Sequence, residues 1–377
     1  MDSRALAGIP LVILGFLVWA LIRLDPLDAL RPGYPPVEVL AVQRTVLRPG
    51  EIVLDLLNAG PDPVVLVQVM VDEAYWHHEV SPSAEIPSMG RAQVVIPYPW
   101  VMGEAHEVIF VSSTGVTFEH VIEVAVPTAT PSAFLGVFTL LGIYVGVVPV
   151  LLGLLWYPAL RKASGAAVDF VLALTVGLLV FLGVETLAEA LETAHAIPGA
   201  LQGTGLVALG AIGAYLGLEA AGRGRTKGYG LALMIAVGIG LHNLGEGLAI
   251  GVAFNLGEAT LGSMLVVGFA MHNTTEGLAI VAPLSGHRMG WWPIVGLGLI
   301  AGLPTIAGAW LGGFAYSAPV ALFFLALGAG AIFQVSVQIL RGMVSSEGRF
   351  PLVVPRNAYG FISGMGLMYA TGLLVVG

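Results

Sequence analysis

Two ten-residue stretches carry residue types that bind cations, and each lies within a long apolar run. They are HNLGEGLAIG at 242–251 and HNTTEGLAIV at 272–281. Both follow the pattern His-Asn-x-x-Glu-Gly, thirty residues apart. Ionisable residues inside a membrane segment are rare and by default suggest a functional site. The alternative is that these are buried polar residues that join two helices by hydrogen bonds. Two matching copies favour a shared site over that alternative.

Helical spacing predicts that the polar side chains of each copy are neighbours. Residues three and four apart adjoin on a helix, so Glu246 is adjacent to both His242 and Asn243. The second copy repeats this arrangement with His272, Asn273 and Glu276.

Antiparallel packing of the two apolar runs predicts one site at the centre of the membrane. If 229–254 and 262–284 both span, His242 lies level with Glu276, and Glu246 lies level with His272. We therefore expect His242, Glu246, His272 and Glu276 to bind a metal ion, with Asn243 and Asn273 as weaker oxygen ligands. Gly247 and Gly277, which follow each Glu, allow close helix approach.

The donor set restricts the metal. The chain has no Cys, which excludes disulfides and thiolate metal sites. Imidazole with carboxylate suits Zn²⁺, Fe²⁺ or Mn²⁺ better than Cu⁺. Zinc is the first expectation, and Co²⁺ or Cd²⁺ also fits these donors.

The motif pair resembles that of the ZIP (zinc/iron-regulated transporter-like) family of divalent-metal transporters. The similarity covers about residues 134–377 and nothing before them. It extends to stretches similar to the family's second, sixth, seventh and eighth helices, at 172–192, 298–312, 324–340 and 359–374. The resemblance implies a transporter that moves a divalent transition metal toward the cytoplasm, and not an enzyme.

Two positions depart from the family pattern. Gly245 and Thr275 stand where the family has a proline before each Glu. Gln338 and Ile339 lie where the seventh helix of relatives usually has an acid. If that acid completes a second metal site, the second site here is weak or missing. We expect one tightly held ion, with Gln338 as a neutral amide beside the transport path.

The composition predicts an integral membrane protein. Of 377 residues, 57% are hydrophobic and 10% are charged, whereas soluble domains carry about 25% charged residues. No phosphate loop, ATP-binding motif or nucleophile elbow is visible in the sequence, and no nucleic-acid partner is expected. Transport must therefore follow a gradient or a coupling ion.

The chain divides into three predicted parts. Residues 1–31 form a membrane anchor around the apolar run 6–22, with a cleaved signal peptide as the alternative. Residues 32–131 contain short β-rich runs separated by Gly, Pro and Asn turns, which predicts an extracytoplasmic β-sandwich and a linker. Residues 132–377 predict an eight-helix bundle with spans at 134–156, 168–190, 200–219, 229–254, 262–284, 292–316, 319–340 and 358–376.

The basic residues predict the orientation of the bundle. All nine Lys and Arg after residue 134 fall in alternate loops or at their borders. By the positive-inside rule, both ends of the eight helices lie outside. The β-domain and the C-terminus are then extracytoplasmic, in a multi-pass protein of the plasma membrane.

Other polar residues have more than one interpretation. Glu185, Glu189 and Glu192 share a helical face, so they could attract cations to the site, although Glu192 fits a solvated helix end. The β-domain histidines have no recognised ligand spacing and are interpreted as surface or core residues; they are His77, His78, His106 and His120.

The function expected from the sequence is metal transport. The expected partners are the metal ion and the lipid bilayer, and a homodimer is possible. Two other classes stay open: an intramembrane metal-dependent enzyme using the same ligands, and a metal-sensing receptor whose β-domain binds a partner.

Overall fold

The computed structural model describes residues 12–17, 19–20, 36–128, 131–195, 197, 201–225, 227–256, 259–314, 318–344 and 350–376. Most of the predicted anchor at 1–31 lies outside these residues. Of that segment, 12–17 and 19–20 are helical. Residues Glu38–Gly377 form one compact unit. The predicted division at residues 31 and 131 stays a prediction.

The β-rich region forms two antiparallel sheets, which make a sandwich. The first sheet has the order β1-β2-β7-β5, and the second has the order β4-β3-β8-β9, with β6 paired to β3. The strands are β1 (Leu40–Arg48), β2 (Glu51–Asn58), β3 (Val64–Val71), β4 (Ala74–Trp76), β5 (Glu79–Ser81), β6 (Glu85–Ile86), β7 (Arg91–Ile96), β8 (His106–Ser112) and β9 (Thr117–Ile122).

The long strands follow the apolar runs of the sequence. Alternate residues of β7 and β8 are buried, because successive side chains on a strand point to opposite faces. The two sheets enclose a core that includes Leu54, Val69 and Phe110. The β-sandwich is thus present. The three short strands β4, β5 and β6 were not predicted, because two or three residues carry too little alternation to be recognised.

Eight long helices follow the sandwich. They are α1 (Phe134–Leu160), α2 (Gly165–His195), α3 (Gly203–Ala221), α4 (Gly228–Leu256), α5 (Leu261–Leu284), α6 (Trp291–Phe314), α7 (Pro319–Met343) and α8 (Pro355–Val376). A π-helical turn at Ile143–Val147 lies within α1. Helix α6 is interrupted at Leu303, between segments Trp291–Gly302 and Pro304–Phe314.

Seven of these helices, α1 to α7, are long and apolar enough to cross a membrane. The chain is therefore consistent with a polytopic membrane protein. Helix α8 packs lengthwise against α2, but its crossing of the membrane, and hence the count of eight spans, stays a prediction.

Glycines allow the central helices to pack closely. A Cβ atom on Gly308 of α6 would lie 2.1 Å from the Leu244 carbonyl oxygen of α4, and one on Gly247 of α4 would lie 2.0 Å from the Thr305 carbonyl oxygen. On the other side, Gly277 of α5 packs in the same way against the Val150 carbonyl oxygen of α1. Gly247 and Gly277 thus do allow close approach, but to α6 and α1 rather than to each other.

This packing predicts the effect of a single methyl group. Gly308→Ala should force α4 and α6 apart and destabilise the protein by about 1–3 kcal/mol, the usual cost of overpacking. Thermal unfolding of the purified protein in detergent should show a lower midpoint. Gly217→Ala on α3 is the control, since a Cβ there meets nothing within 4 Å. Equal midpoints for the two variants would contradict close packing of α4 on α6.

Candidate metal centre

His242, Glu246 and His272 come together in the middle of the bundle. Glu246 Oε1 lies 3.1 Å from His242 Nε2 and also contacts His272 Nε2. The three side chains are 5%, 3% and 11% exposed. The first two residues lie one turn apart on α4, and His272 comes from α5. The pairing of Glu246 with His272 across the two helices is the one that antiparallel packing predicts.

The donor atoms are close enough to share one ion. One ligand atom from each residue lies within 4.8 Å of one ligand atom from each of the other two. Among the described residues, no other group of three His, Asp or Glu side chains meets this distance. Two ligands of one zinc ion, each at about 2.1 Å, lie at most about 4.2 Å apart. Donor atoms this close need only small side-chain shifts to contact one ion.

The motif asparagines fix the helices around this cluster. Asn273 Nδ2 donates to Glu246 Oε2 and to the Val145 carbonyl oxygen, each at 3.0 Å. Asn243 Nδ2 donates to the Ala301 carbonyl oxygen at 3.2 Å. Their side-chain oxygens, by contrast, are buried and have no hydrogen-bond partner. Each asparagine therefore uses its amide nitrogen as a structural link and keeps an oxygen available for a cation.

Prolines in the flanking helices explain which carbonyls the asparagines reach. Pro149 of α1 has no N–H, so the carbonyl four residues earlier, at Val145, has no α-helical donor from that position. Ala301 lies just before the interruption of α6 at Leu303 and Pro304. The sequence interpretation missed these prolines as supports of the site. The signal was available as a proline inside each apolar run, at GVVPV and GLPTI.

Glu276 lies beside the cluster but outside the group of three. The residue is 3% exposed, and neither carboxylate oxygen has a hydrogen-bond partner. Leaving a buried acceptor unsatisfied costs about 1–3 kcal/mol, and more when it is charged. Around this cluster, four side-chain oxygen atoms lack a hydrogen-bond partner: two from Glu276 and one from each motif asparagine. Such an environment favours a cation.

A cavity of about 570 Å³ leads away from the cluster. His242, Glu246 and His272 lie in its wall, as do Glu185 and Glu189. The other lining residues are mainly apolar and come from the C-terminal halves of α2, α4 and α8 and the N-terminal halves of α5 and α7. The two α2 carboxylates thus lie along the same opening as the cluster.

A much smaller, leucine-lined void lies on the other side of the cluster. Below His272 and Glu276 there is a void of only about 10 Å³, lined by Leu178, Leu179 and Leu182 of α2, among others. A void of this size cannot hold a hydrated ion.

Gln338 does not lie at this site. Its side-chain nitrogen donates to the Arg225 carbonyl oxygen at 2.8 Å, and its oxygen accepts from Gln334 at 2.8 Å. Gly328 of α7 is the residue that packs against His242. Ten residues of helix rise by about 15 Å, which separates Gln338 from the cluster. Gln338 joins α7 to the turn after α3, and its expected place beside the transport path stays a prediction.

The β-domain histidines make local contacts. His106 Nδ1 lies 2.8 Å from Asp72 Oδ2, and Tyr98 donates to the same oxygen at 2.6 Å. Partial burial opposes ionisation of Asp72, but these hydrogen bonds hold the pKa of its carboxyl below the usual range. The hydrogen bond to Asp72 raises the pKa of Tyr98 to about 12.

The remaining histidines of the sandwich are also accounted for. His120 is hydrogen-bonded to Thr45 at 2.9 Å, and burial lowers the pKa of His120 to about 4, so its ring is neutral at pH 7. His77 is exposed, and His78 contacts the Trp76 carbonyl oxygen. These positions agree with the interpretation as surface and core residues.

Comparison with known proteins gives no match: the chain matches no family model, and it matches no curated protein. The ZIP-like assignment consequently depends on the motif pair and on the arrangement of its side chains.

The geometry predicts that His242 and His272 act on the same ion. His242→Ala and His272→Ala should each weaken Zn²⁺ binding at least a hundredfold, since each removes one of three donors held by both helices. Calorimetric titration of the purified protein would measure this. His287→Ala is the matched control, because that ring is exposed and lies far along the chain from both motifs, near the Ser285 carbonyl oxygen. Loss of binding in one histidine variant alone would contradict a shared site.

Proposed function

We propose that this protein is a ZIP-like membrane transporter that moves a divalent transition metal ion, zinc first, toward the cytoplasm. The observation that carries the proposal is the buried contact of Glu246 with both His242 and His272. Two imidazoles and a carboxylate, contributed by two membrane helices, form the kind of donor set that Zn²⁺ prefers. Fe²⁺ and Mn²⁺ are the next candidates.

Charge balance supports one tightly held ion. Glu246 and Glu276 are the two buried acids around the centre, and one divalent ion neutralises two carboxylates. Two ions would bring four positive charges against two negative charges in a low dielectric, which is strongly penalised. Gln338, remote from the centre, adds no ligand for a second ion.

The position of the cavity supports a direction of access. The cavity lies at the ends of α2 and α4 that the basic loops assign to the outside. Glu185 and Glu189 provide negative charge along it, which raises the local concentration of cations. An ion would then reach the centre from outside. For release toward the cytoplasm, the leucines that line the small void on the opposite side would have to move apart. Secondary transporters alternate the side from which their binding site is accessible in this way.

Uptake into proteoliposomes tests the proposal directly. Vesicles with the full-length protein should take up Zn²⁺ in a saturable manner, and Glu246→Gln should reduce the initial rate at least a hundredfold, since it removes the one carboxylate that contacts both rings. Glu123→Gln in the β-domain is the control for loss of an acid. Metal-dependent turnover of a substrate without flux would favour the enzyme alternative, and flux equal to that of empty vesicles would overturn transport.

The acidic cavity predicts a second, milder effect. Glu185→Gln combined with Glu189→Gln should slow uptake several-fold at low ionic strength and have less effect at high salt, because screening weakens attraction over distances beyond about 10 Å. Zn²⁺ binding at equilibrium should change less than the rate. Glu192→Gln serves as the comparison at the helix end. A salt-independent loss would mean that the two acids act in some other way.

A further inference from the structure

A second cavity, with polar walls, lies between the β-sandwich and the ends of two membrane helices. Its volume is about 490 Å³, and it is lined by residues of β1, β2, β5 and β7 together with Asn255 of α4 and Phe314 of α6. It is separate from the cavity that leads to the metal centre, and nothing in the proposed transport uses it.

The register of the first sheet aligns the polar side chains of this cavity. Arg44 of β1 pairs with Asp55 of β2, Asp55 pairs with Gln93 of β7, and Gln93 pairs with Ser81 of β5. Residues directly opposite one another in a sheet project from the same face. Arg91 lies two residues before Gln93 and so projects from that face too. One face of the sheet thus places two guanidinium groups, those of Arg44 and Arg91, in the cavity wall.

An irregularity in β1 brings this face to the bundle. The pairing register of β1 with β2 shifts between Val42 and Arg44, which leaves Gln43 outside the regular ladder. The Gln43 carbonyl oxygen then accepts a hydrogen bond from Asn255 Nδ2 at 3.4 Å. Asn255 and Phe314 belong to the last turns of two spans, and the cavity therefore lies at the level where lipid headgroups meet water.

The two arginines of the sandwich that form no ion pair among the described residues both line this cavity. Residues 36–127 contain twelve acidic residues and three arginines. Arg48 forms an exposed ion pair with Glu51 at 3.3 Å. Within the part of the chain that the structure describes, Arg44 and Arg91 have no ion pair, and Asp55 between them accepts a hydrogen bond from Gln93 at 2.8 Å instead. In an acidic domain, two unpaired arginines in one cavity indicate an anionic ligand.

We propose that this cavity binds a phosphate group, either that of a phospholipid headgroup or free phosphate. A guanidinium group can donate two parallel N–H hydrogen bonds to two oxygens of one phosphate. The side chains of Asn255, Ser81 and Gln43 add neutral donors along the same wall. A bound phosphate would hold the sandwich against the end of α4. The site does not depend on metal transport.

The test uses the purified full-length protein and two probes. The first probe is short-chain phosphatidylglycerol, added to the protein in detergent and followed by native mass spectrometry. The second is inorganic phosphate, followed by calorimetric titration without added lipid. The variant is Arg44→Gln with Arg91→Gln, and the matched control is Arg48→Gln, which removes an arginine of the same strand as Arg44 but outside the cavity.

We expect the wild type and Arg48→Gln to bind one phosphate group per chain and the double variant to bind at least tenfold more weakly. Binding of lipid but not of inorganic phosphate identifies the headgroup as the source, and equal binding identifies free phosphate. Both results support the site. Absence of saturable binding of either probe to the wild type, or equal binding by the double variant, overturns it.

Two further measurements keep the result interpretable. Zn²⁺ binding by the double variant should equal that of the wild type, which shows that the bundle is intact and separates this site from the metal centre. If the double variant does not fold, Arg91→Gln alone replaces it, since Arg91 is exposed. That single change should weaken binding at least threefold, and unchanged binding would overturn the proposal.

Discussion

The carboxylate of Glu246 is the group on which the rest of the bundle depends. It lies within an apolar helix and is 3% exposed, where an unpaired charge would cost several kcal/mol. Its oxygens are met by His242, His272 and Asn273. Two of these three partners, His272 and Asn273, come from α5. The free-energy cost of burying Glu246 is therefore offset only while the distance between α4 and α5 and their relative rotation are kept.

That separation is set by helices that contribute no metal ligand. α6 packs on α4 and α1 packs on α5, in both cases through glycines that bring backbones into contact. Each flanking helix also presents a carbonyl near a proline to the asparagine of its partner, at Ala301 and Val145. The two motif helices are therefore supported in the same way.

Helix α4 joins the two polar regions of the molecule. Glu246 and Asn255 are nine residues apart on it, about 14 Å along the axis. The first lies in the metal centre, and the second donates to Gln43 of the sandwich. One helix thus contacts both the sandwich and the candidate metal centre.

The sequence by itself determined the properties that depend on local patterns. Hydropathy identified the membrane helices from α1 to α7, alternation identified the six longer strands of the sandwich, and the 3.6-residue period placed His242 beside Glu246. It also singled out His272 as the partner across the helices, because equal depth in antiparallel spans follows from position along the chain.

Only the tertiary structure decided what depends on how helices rotate and pack. It brought His272 into contact with Glu246 while leaving Glu276 outside the group of three, and it turned Gln338 toward Arg225. It also presented the Val145 carbonyl, four residues before Pro149, and the Ala301 carbonyl, beside the break in α6, to the motif asparagines. Likewise, the register of four strands placed Arg44 and Arg91 in one cavity. The physical reason is that the helical and strand periods describe residues within one segment. The rotation of one helix against another and the register between strands depend instead on side-chain volumes and backbone contacts between segments that lie far apart in the chain.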